Sequence, residues 1–388
     1  MNIDDIKTLS VLGAGDMGHG IAEVALIAGY KVFLRDIKQE FVDKGAKRID
    51  ESLQKLVLKG KVKADHYDRI QKELIHPCVD LQEAVRETDL VIEVAPEILD
   101  LKKEIFREVD RLAPSHALLA SNTSTMSISE ISSATNRPEK VLGLHFFNPV
   151  VIMKLVEVIR GSKTTEETMS IGYDFGKNLG KIPVRVEKDV PGFIVNRINA
   201  PAHVVRGCIL DSGIVGPEEF DALVRKSGAP MGPFELWDYV GIDVGLNVLS
   251  YYEKNLHPDY KPYRFLKEMV DQGRFGKKTG KGFYDWSKGR PEIDLEKATD
   301  KVDLADITAV QINEATKLIE MGVCAIEDID VAVVNGSGMK VGPIAMAQDL
   351  DPAELTQRLE NLSKKYKKEI FLPTNMIRQG DYKLQKGV

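Results

Sequence analysis

The sequence predicts a doubly wound, mostly parallel α/β domain over 1–189, followed by two all-α domains, 190–299 and 300–388, related by duplication. Three observations predict it. Strand and helix patterns alternate through the first half of the chain. A Gly-x-Gly-x-x-Gly turn follows a buried strand at its start. Beyond Asp189-Val190-Pro191-Gly192 the strand signals fade, and helical periodicity carries motifs that recur later.

Lys7-Thr8-Leu9-Ser10-Val11-Leu12 reads as a buried strand, and 17–29 as a helix with Met17, Ile21, Val24, Ala25 and Ala28 facing inward. Between them lies Gly13-Ala14-Gly15-Asp16-Met17-Gly18. Gly13 permits a tight turn, Gly15 lets backbone approach a pyrophosphate, and Gly18 lets helix and strand pack closely. Phosphates there would meet free N–H groups and the positive end of the helix dipole. A second strand, 31–35, ends at Asp36, about 20 residues past the glycines, where an acid holds the ribose hydroxyls of a dinucleotide. The domain is therefore expected to be Rossmann-like. Asp36 would repel a 2′-phosphate, which favours NAD over NADP; Arg35 could accommodate that phosphate and is expected to lie on the opposite side of the strand end. Asp16 is uncomfortable beside a pyrophosphate and is expected to act as a partner of the helix dipole.

A long helix at 38–59 follows, then strands at 75–79, 90–94, 117–120, 141–145, 153–159 and 182–186 with helices between them. In the helical part, Met231-Gly232-Pro233-Phe234-Glu235-Leu236-Trp237 is echoed by Val341-Gly342-Pro343-Ile344-Ala345-Met346-Ala347. Ile198-Asn199-Ala200 is echoed by Ile312-Asn313-Glu314, and Phe265-Leu266, Met269 and Gln272-Gly273 by Phe371-Leu372, Met376 and Gln379-Gly380. Matches in the same order at three places predict a decayed duplication, with 285–301 as the linker. Val310, Ile312, Leu318 and Ile319 keep helical spacing, so 303–388 is expected to fold against 190–285 as an internal pseudo-dimer and make the chain a monomer, with a homodimer through another surface left open.

The 388 residues are 43% hydrophobic, enough for sizeable cores, and no apolar run reaches membrane-spanning length. Net charge is −6 without a long basic block, which argues against nucleic acid as a partner. Cys78, Cys208 and Cys324 are far apart and lack metal-ligand spacing, so no metal is expected and a reducing compartment is. Met1-Asn2-Ile3-Asp4-Asp5 lacks the pattern of a signal peptide, and the cytoplasm is the expected location.

His145 ends the strand 141–145, near the carboxyl edge where ligands bind such sheets. In Met153-Lys154-Leu155-Val156-Glu157-Val158-Ile159, period-two alternation puts Glu157 on the face of Met153, Leu155 and Ile159. A carboxylate on an apolar face is costly unless paired, and His145 is the nearest candidate. Such a pair would fix the imidazole tautomer and favour its protonated form; the bland alternative is an edge strand with Glu157 solvated. Ser121-Asn122-Thr123-Ser124-Thr125 follows another apolar strand and could bind ligand oxygens or simply cap a helix before Ile128. Ser52 and Lys59 are seven apart on one helical face, with Lys55, Lys61 and Lys63 nearby; they could meet a phosphorylated carrier or form a solvated lysine face.

Seven ordered segments give the chain a family resemblance. Gly-x-Gly-x-x-Gly, Ser-Asn-Thr-Ser, His-Phe-Phe-Asn-Pro, Leu-Val-Glu-Val-Ile, Asp-Val-Pro-Gly-Phe-Ile-Val-Asn-Arg, Pro-Met-Gly-Pro-Phe-Glu-Leu and Gly-Lys-Lys-Thr-Gly-Lys-Gly-Phe-Tyr span about 1–286. They resemble the L-3-hydroxyacyl-CoA dehydrogenases, including 3-hydroxybutyryl-CoA dehydrogenases. The resemblance implies catalytic roles for Ser124, His145, Glu157 and Asn196. It implies NAD contacts at Gly13, Ala14, Gly15, Asp16, Met17, Gly18, Asp36, Glu97, Lys102, Ser124, Asn148 and Lys278, and substrate contacts at Ser52, Lys59, Ser124 and Asn196, the first three toward coenzyme A. It further implies oxidation of a (S)-3-hydroxyacyl-CoA to the 3-ketoacyl-CoA, and the reverse, with His145 exchanging the proton, Glu157 orienting it, and Ser124 and Asn196 bonding substrate oxygens. The segment 300–388 resembles the second helical domain of longer members, some fused to an enoyl-CoA hydratase. It lacks the Phe-Ile-Val-Asn-Arg and Gly-Lys-Lys-Thr-Gly stretches, so no second site is expected there. Two competing readings remain: a dehydrogenase of a free sugar or hydroxy acid, and a non-catalytic NAD-binding sensor or structural protein.

Overall fold

The computed structural model describes residues 1–383, which form two compact units. The first comprises Met1–Asn196 and Leu318–Ala345, the second Arg197–Lys317 and the chain from Met346 onward.

The first unit holds one eight-stranded sheet: β1 (Thr8–Leu12), β2 (Lys31–Arg35), β3 (Ile75–Cys78), β4 (Leu90–Glu93), β5 (Leu118–Ser121), β6 (Val141–Phe146), β7 (Leu155–Ile159) and β8 (Ile182–Val186). Their order is β3-β2-β1-β4-β5-β6-β7-β8. Every neighbouring pair is parallel except β6 and β7, which are antiparallel. The exception follows from the connection: a short loop joins β6 to β7, and only antiparallel neighbours can be joined without a long crossover. Helices cover both faces, so all of β6 and all of β7 are buried, Glu157 included.

Most expected elements fall within a residue or two of their predicted places. The first helix runs Gly18–Ile27, not 17–29, and Ala28 is exposed at its C-cap. Chain reversal at Gly29, with φ +94°, ends the helix before the inward face comes round again. The strand expected from Met153 begins at Leu155.

The second unit is helical and has one core. Phe220, Phe234, Leu249 and Leu266 from the first helical stretch share it with Val310, Ile312, Leu355, Leu359 and Phe371 from its repeat. Buried polar contacts tie the stretches together: Arg197 Nε donates to Glu314 Oε1 (2.5 Å), and Gln311 Nε2 donates to Asn199 Oδ1 (2.8 Å). The stretch 285–301 is anchored rather than loose, with Trp286 and Ile293 buried and Arg290 paired to the fully buried Glu235 (2.5 Å).

The compact units do not divide at the boundaries expected from sequence. Leu318–Ala345, from the middle of the repeat, belongs with the sheet. Its helix Ile326–Ser337 buries Ile329, Ala332, Val333 and Gly336, a spacing of three and four that defines one face, and this helix packs on β7 and β8.

Candidate active site

The glycine turn is built as its spacing predicts. Gly13 has φ +121°, and a Cβ there would lie 2.6 Å from Val94 O. A Cβ on Gly18 would lie 1.7 Å from Gly13 O, so helix and turn could not close with any other residue. At Gly15 a Cβ would meet nothing within 4 Å, leaving the open approach that a pyrophosphate needs. At the end of β2, Asp36 accepts from Ala14 N (2.7 Å) and Ile37 N (2.7 Å), which fixes its carboxylate beside the turn. Arg35 is occupied elsewhere, its Nε donating to Val79 O (2.9 Å). Asp16 pairs with Arg48 (2.6 Å), so its charge is answered by a side chain as well as by the helix end.

On β6 and β7, His145 and Glu157 are directly opposite each other. His145 Nδ1 lies 2.6 Å from Glu157 Oε2. The other carboxylate oxygen accepts from Ile194 N (3.1 Å) and Val195 N (2.9 Å), so the wholly buried Glu157 is fully engaged. Phe147 and Phe193 flank the imidazole, with ring centroids 4.4 and 5.8 Å away. With Nδ1 used by Glu157, Nε2 is the ring nitrogen available to a substrate. Asn122 accepts from Phe146 N (2.8 Å) and pins the end of β6.

A second polar network lies at the ends of β4 and β5. Ser124 donates from N (2.7 Å) and Oγ (3.2 Å) to Glu97, which also accepts from Thr123 Oγ1 (2.8 Å) and sits 3.5 Å from Lys102 Nζ. Lys102 is 1% exposed and donates to Glu93 (2.8 Å) and Ala95 O (3.1 Å). Its ammonium is thus engaged within the protein, with the Glu97 carboxylate as its third neighbour. Asn196 Nδ2 reaches Ser124 O at 3.4 Å, which brings Asn196 to the serine loop. Asn148 is exposed on the loop after β6, where the Asn148–Pro149 peptide is cis.

Ser52 and Lys59 do not form one exposed face. Ser52 is half-buried and donates to Glu23 (2.5 Å), whereas Lys59 is exposed at the C-cap of helix Gln39–Leu58. Burial pushes the Glu23 carboxyl up to about 7. Lys278 belongs to the other compact unit, where it pairs with Asp243 (2.6 Å).

The segments that carry the Gly-rich turn, Asp36 and the buried His–Glu pair fall within a known family of proteins. Residues 8–190 match the model of the 3-hydroxyacyl-CoA dehydrogenase NAD-binding domain, and 192–286 and 305–386 both match that family's C-terminal domain. The chain belongs to the 3-hydroxyacyl-CoA dehydrogenase family. It is an NAD-dependent oxidoreductase of that family. Human mitochondrial hydroxyacyl-coenzyme A dehydrogenase is 41% identical over 288 residues, covering 72% of this chain and 91% of the relative. The Escherichia coli 3-hydroxyadipyl-CoA dehydrogenase is 32% identical over 97% of both chains. The crystal structure of an E. coli 3-hydroxybutyryl-CoA dehydrogenase matches with TM-score 0.86 and 31% identity, covering 97% of this chain and 98% of that one.

Other residues support this constellation without standing out in the sequence. Glu93 joins Lys102, Ser121 Oγ (2.6 Å) and Ala95 N (2.6 Å) at the C-terminal end of β4. Its sequence signal is a carboxylate closing the apolar run Leu90-Val91-Ile92. Gly45 lets helix Gln39–Leu58 approach the turn, since a Cβ there would lie 2.7 Å from Ala14 O. Lys181 donates to Val150 O and Met153 O (2.8 Å), holding the loop that carries Asn148, and burial pushes its ammonium down to about 8. Among the described residues no helix is long and apolar enough to cross a membrane, and no cluster of three or more His, Cys, Asp or Glu could hold a metal.

Proposed function

We propose that His145 is the general acid/base of this dehydrogenase, with Glu157 its orienting partner and (S)-3-hydroxyacyl-CoA thioesters, 3-hydroxybutyryl-CoA among them, as substrates. The observation that carries this reading is the 2.6 Å His145–Glu157 bond across β6 and β7, which commits Nδ1 and leaves Nε2 for the substrate. In the oxidative direction His145 Nε2 takes the C3 hydroxyl proton as the C3 hydride leaves, and Glu157 stabilises the imidazolium. Bound NAD supplies the hydride acceptor. In the reductive direction His145 starts protonated and donates to the new hydroxyl. Ser124 and Asn196, held together by the 3.4 Å contact, bond the substrate oxygens. Asp36 holds the ribose hydroxyls, and Gly13 to Gly18 with Glu97, Asn148 and Lys278 complete the cofactor contacts, Lys102 acting through Glu97. Ser52 and Lys59 serve coenzyme A.

His145→Ala is expected to lower kcat for acetoacetyl-CoA reduction by ~10²–10⁴ while leaving NADH binding, followed by fluorescence titration, nearly unchanged. Near-normal turnover would exclude the acid/base role. Comparing turnover of 3-hydroxybutyryl-CoA with that of free hydroxy acids separates a thioester enzyme from a sugar-acid or hydroxy-acid dehydrogenase. We further propose that the chain is a monomer whose helical stretches replace a dimer partner for one another, as their shared core supports. Its three free cysteines fit a reducing compartment such as the cytoplasm. A functional link to an enoyl-CoA hydratase is part of the same proposal.

A further inference from the structure

The repeat does more than pack on the first helical stretch. Its Leu318–Ala345 segment lies in the unit that carries His145 and Glu157. Val323 O accepts from Glu187 N (2.7 Å), and Met321 O accepts from Lys188 Nζ (2.5 Å), which fixes the segment just past β8. From there helix Ile326–Ser337 crosses β7, the strand of Glu157.

Gly336 is a point of close approach. A Cβ there would lie 2.6 Å from Leu155 Cδ2, 3.0 Å from Val195 Cγ2 and 3.3 Å from Phe147 Cε1. Each of these residues is one step from the dyad. Leu155 stands two places before Glu157 on β7 and on the same face. Val195 N donates to Glu157 Oε1 (2.9 Å). The Phe147 ring lies against His145 at 4.4 Å. Cys324, buried in the same segment, is close enough for the Glu157 charge to add to the burial that pushes its thiol up.

We infer that the repeat supplies a positioning element for the catalytic pair, with Gly336 as the residue that sets the seat of Phe147, Val195 and Leu155 around His145 and Glu157. The repeat, which lost its own asparagine motif, thus acts on the chemistry of the first copy from the sheet face that carries the dyad. This inference rests on His145 being the acid/base. A side chain at 336 would displace Leu155 Cδ2 and press on Val195 and Phe147, three supports of one hydrogen-bonded pair.

The test uses the full chain with Gly336→Ala, which adds one methyl, and Gly336→Val, assayed with acetoacetyl-CoA and NADH. Displacing reacting groups by about 1 Å costs on the order of 10²-fold, so kcat is expected to fall about 3- to 10-fold for the alanine variant and further for valine. The KM for NADH should stay within about twofold, because uniform cofactor binding is untouched. The imidazole NMR signals of His145 should shift in the alanine variant, and Leu155→Val added to Gly336→Ala should restore kcat by making room. Val331→Ser, at an exposed position of the same helix, serves as a control that changes neither kcat nor the imidazole signals. If valine prevents folding, the alanine variant and its rescue still decide. A folded Gly336→Ala variant with parental kcat and unshifted His145 signals would overturn the inference, as would a loss of stability with no change in kcat. Failure of the acid/base reading shows separately, as turnover retained by His145→Ala while Gly336→Ala still moves the imidazole signals.

Discussion

In the first helical stretch Asp221 accepts from Phe234 N (2.9 Å) and Glu235 N (2.7 Å), and a Cβ on Gly232 would lie 2.3 Å from Asp221 Cγ. In the repeat Asp330 accepts from Ile344 N (2.9 Å) and Ala345 N (2.8 Å), and a Cβ on Gly342 would lie 2.2 Å from Asp330 Oδ1. Both copies thus keep the same device, an aspartate closing the N-terminus of a Gly-Pro helix. They part at the next turn. Asp238 accepts from Phe283 N, Tyr284 N and Trp286 Nε1 at 2.8 to 2.9 Å and folds the stretch bearing Lys278. The residue aligned with it is Gln348, which donates to Tyr382 O (3.1 Å), and no Gly-Lys-Lys-Thr-Gly stretch follows. Asn196 likewise aligns with Val310, which is buried in the helical core. The aspartate cap that holds the helix has been kept in both copies, while Asn196 and the Lys278 stretch, proposed above to meet ligands, have no counterpart in the repeat.

The harshest test of that division is truncation at 300. It strips the helical core of Ile312, Leu359 and Phe371 and removes the cover of β7, so the remaining protein is expected to aggregate or dimerise and lose turnover. Size-exclusion chromatography with an activity assay reads this, and a truncated chain that stays monomeric with unchanged thermal stability would show that the repeat is dispensable. Exchanging the aligned residues is the next largest perturbation. Asn196→Val should lower kcat by ~10², the effect of removing one donor to a reacting oxygen, whereas Val310→Asn should leave kcat unchanged. Equal losses in both would break the assignment of chemistry to one copy. Asp238→Gln, which gives the first copy its counterpart's residue, leaves three donors poorly met and should cost about 2–3 kcal/mol in urea unfolding. A cost near zero would mean that the Lys278 stretch folds without its anchor.

The smallest effect concerns the two caps. Asp221 is fully buried while Asp330 is half-buried. Burial raises the Asp221 carboxyl to about 6, above its unfolded value near 3.9. Between those values the folded state holds the extra proton, so its contribution is complete below pH 4 and is lost as pH rises through 6. Asp221→Asn should flatten stability over that window by about 1–2 kcal/mol. An unchanged pH slope would show that the cap ionises as freely as an exposed one.

Where sequence alone sufficed, the reason was local. Strand positions followed from apolar runs, and Glu157 betrayed its partner because a carboxylate inside an apolar strand must be paired. Glu93 closes an apolar strand too, but a strand-end acid is ordinarily solvated, so its burial does not follow from the sequence pattern. The Ser52–Glu23 bond was out of reach, because it depends on how two helices rotate against each other. So was the allocation of Leu318–Ala345 to the sheet. Local periodicity marks an apolar face on helix Ile326–Ser337 but says nothing of which surface receives it.

That allocation bears on how the protein is made. The chain leaves the sheet unit at Asn196 and returns to it only at Leu318, so the layer over β7 emerges from a ribosome long after the strand it covers. At about 5–20 residues per second, translation leaves that strand's outer face without its native cover for roughly ten seconds. Newly synthesised dinucleotide domain therefore waits, with apolar surface open, for a segment encoded far downstream, and this interval is where chaperone dependence and misassembly should concentrate.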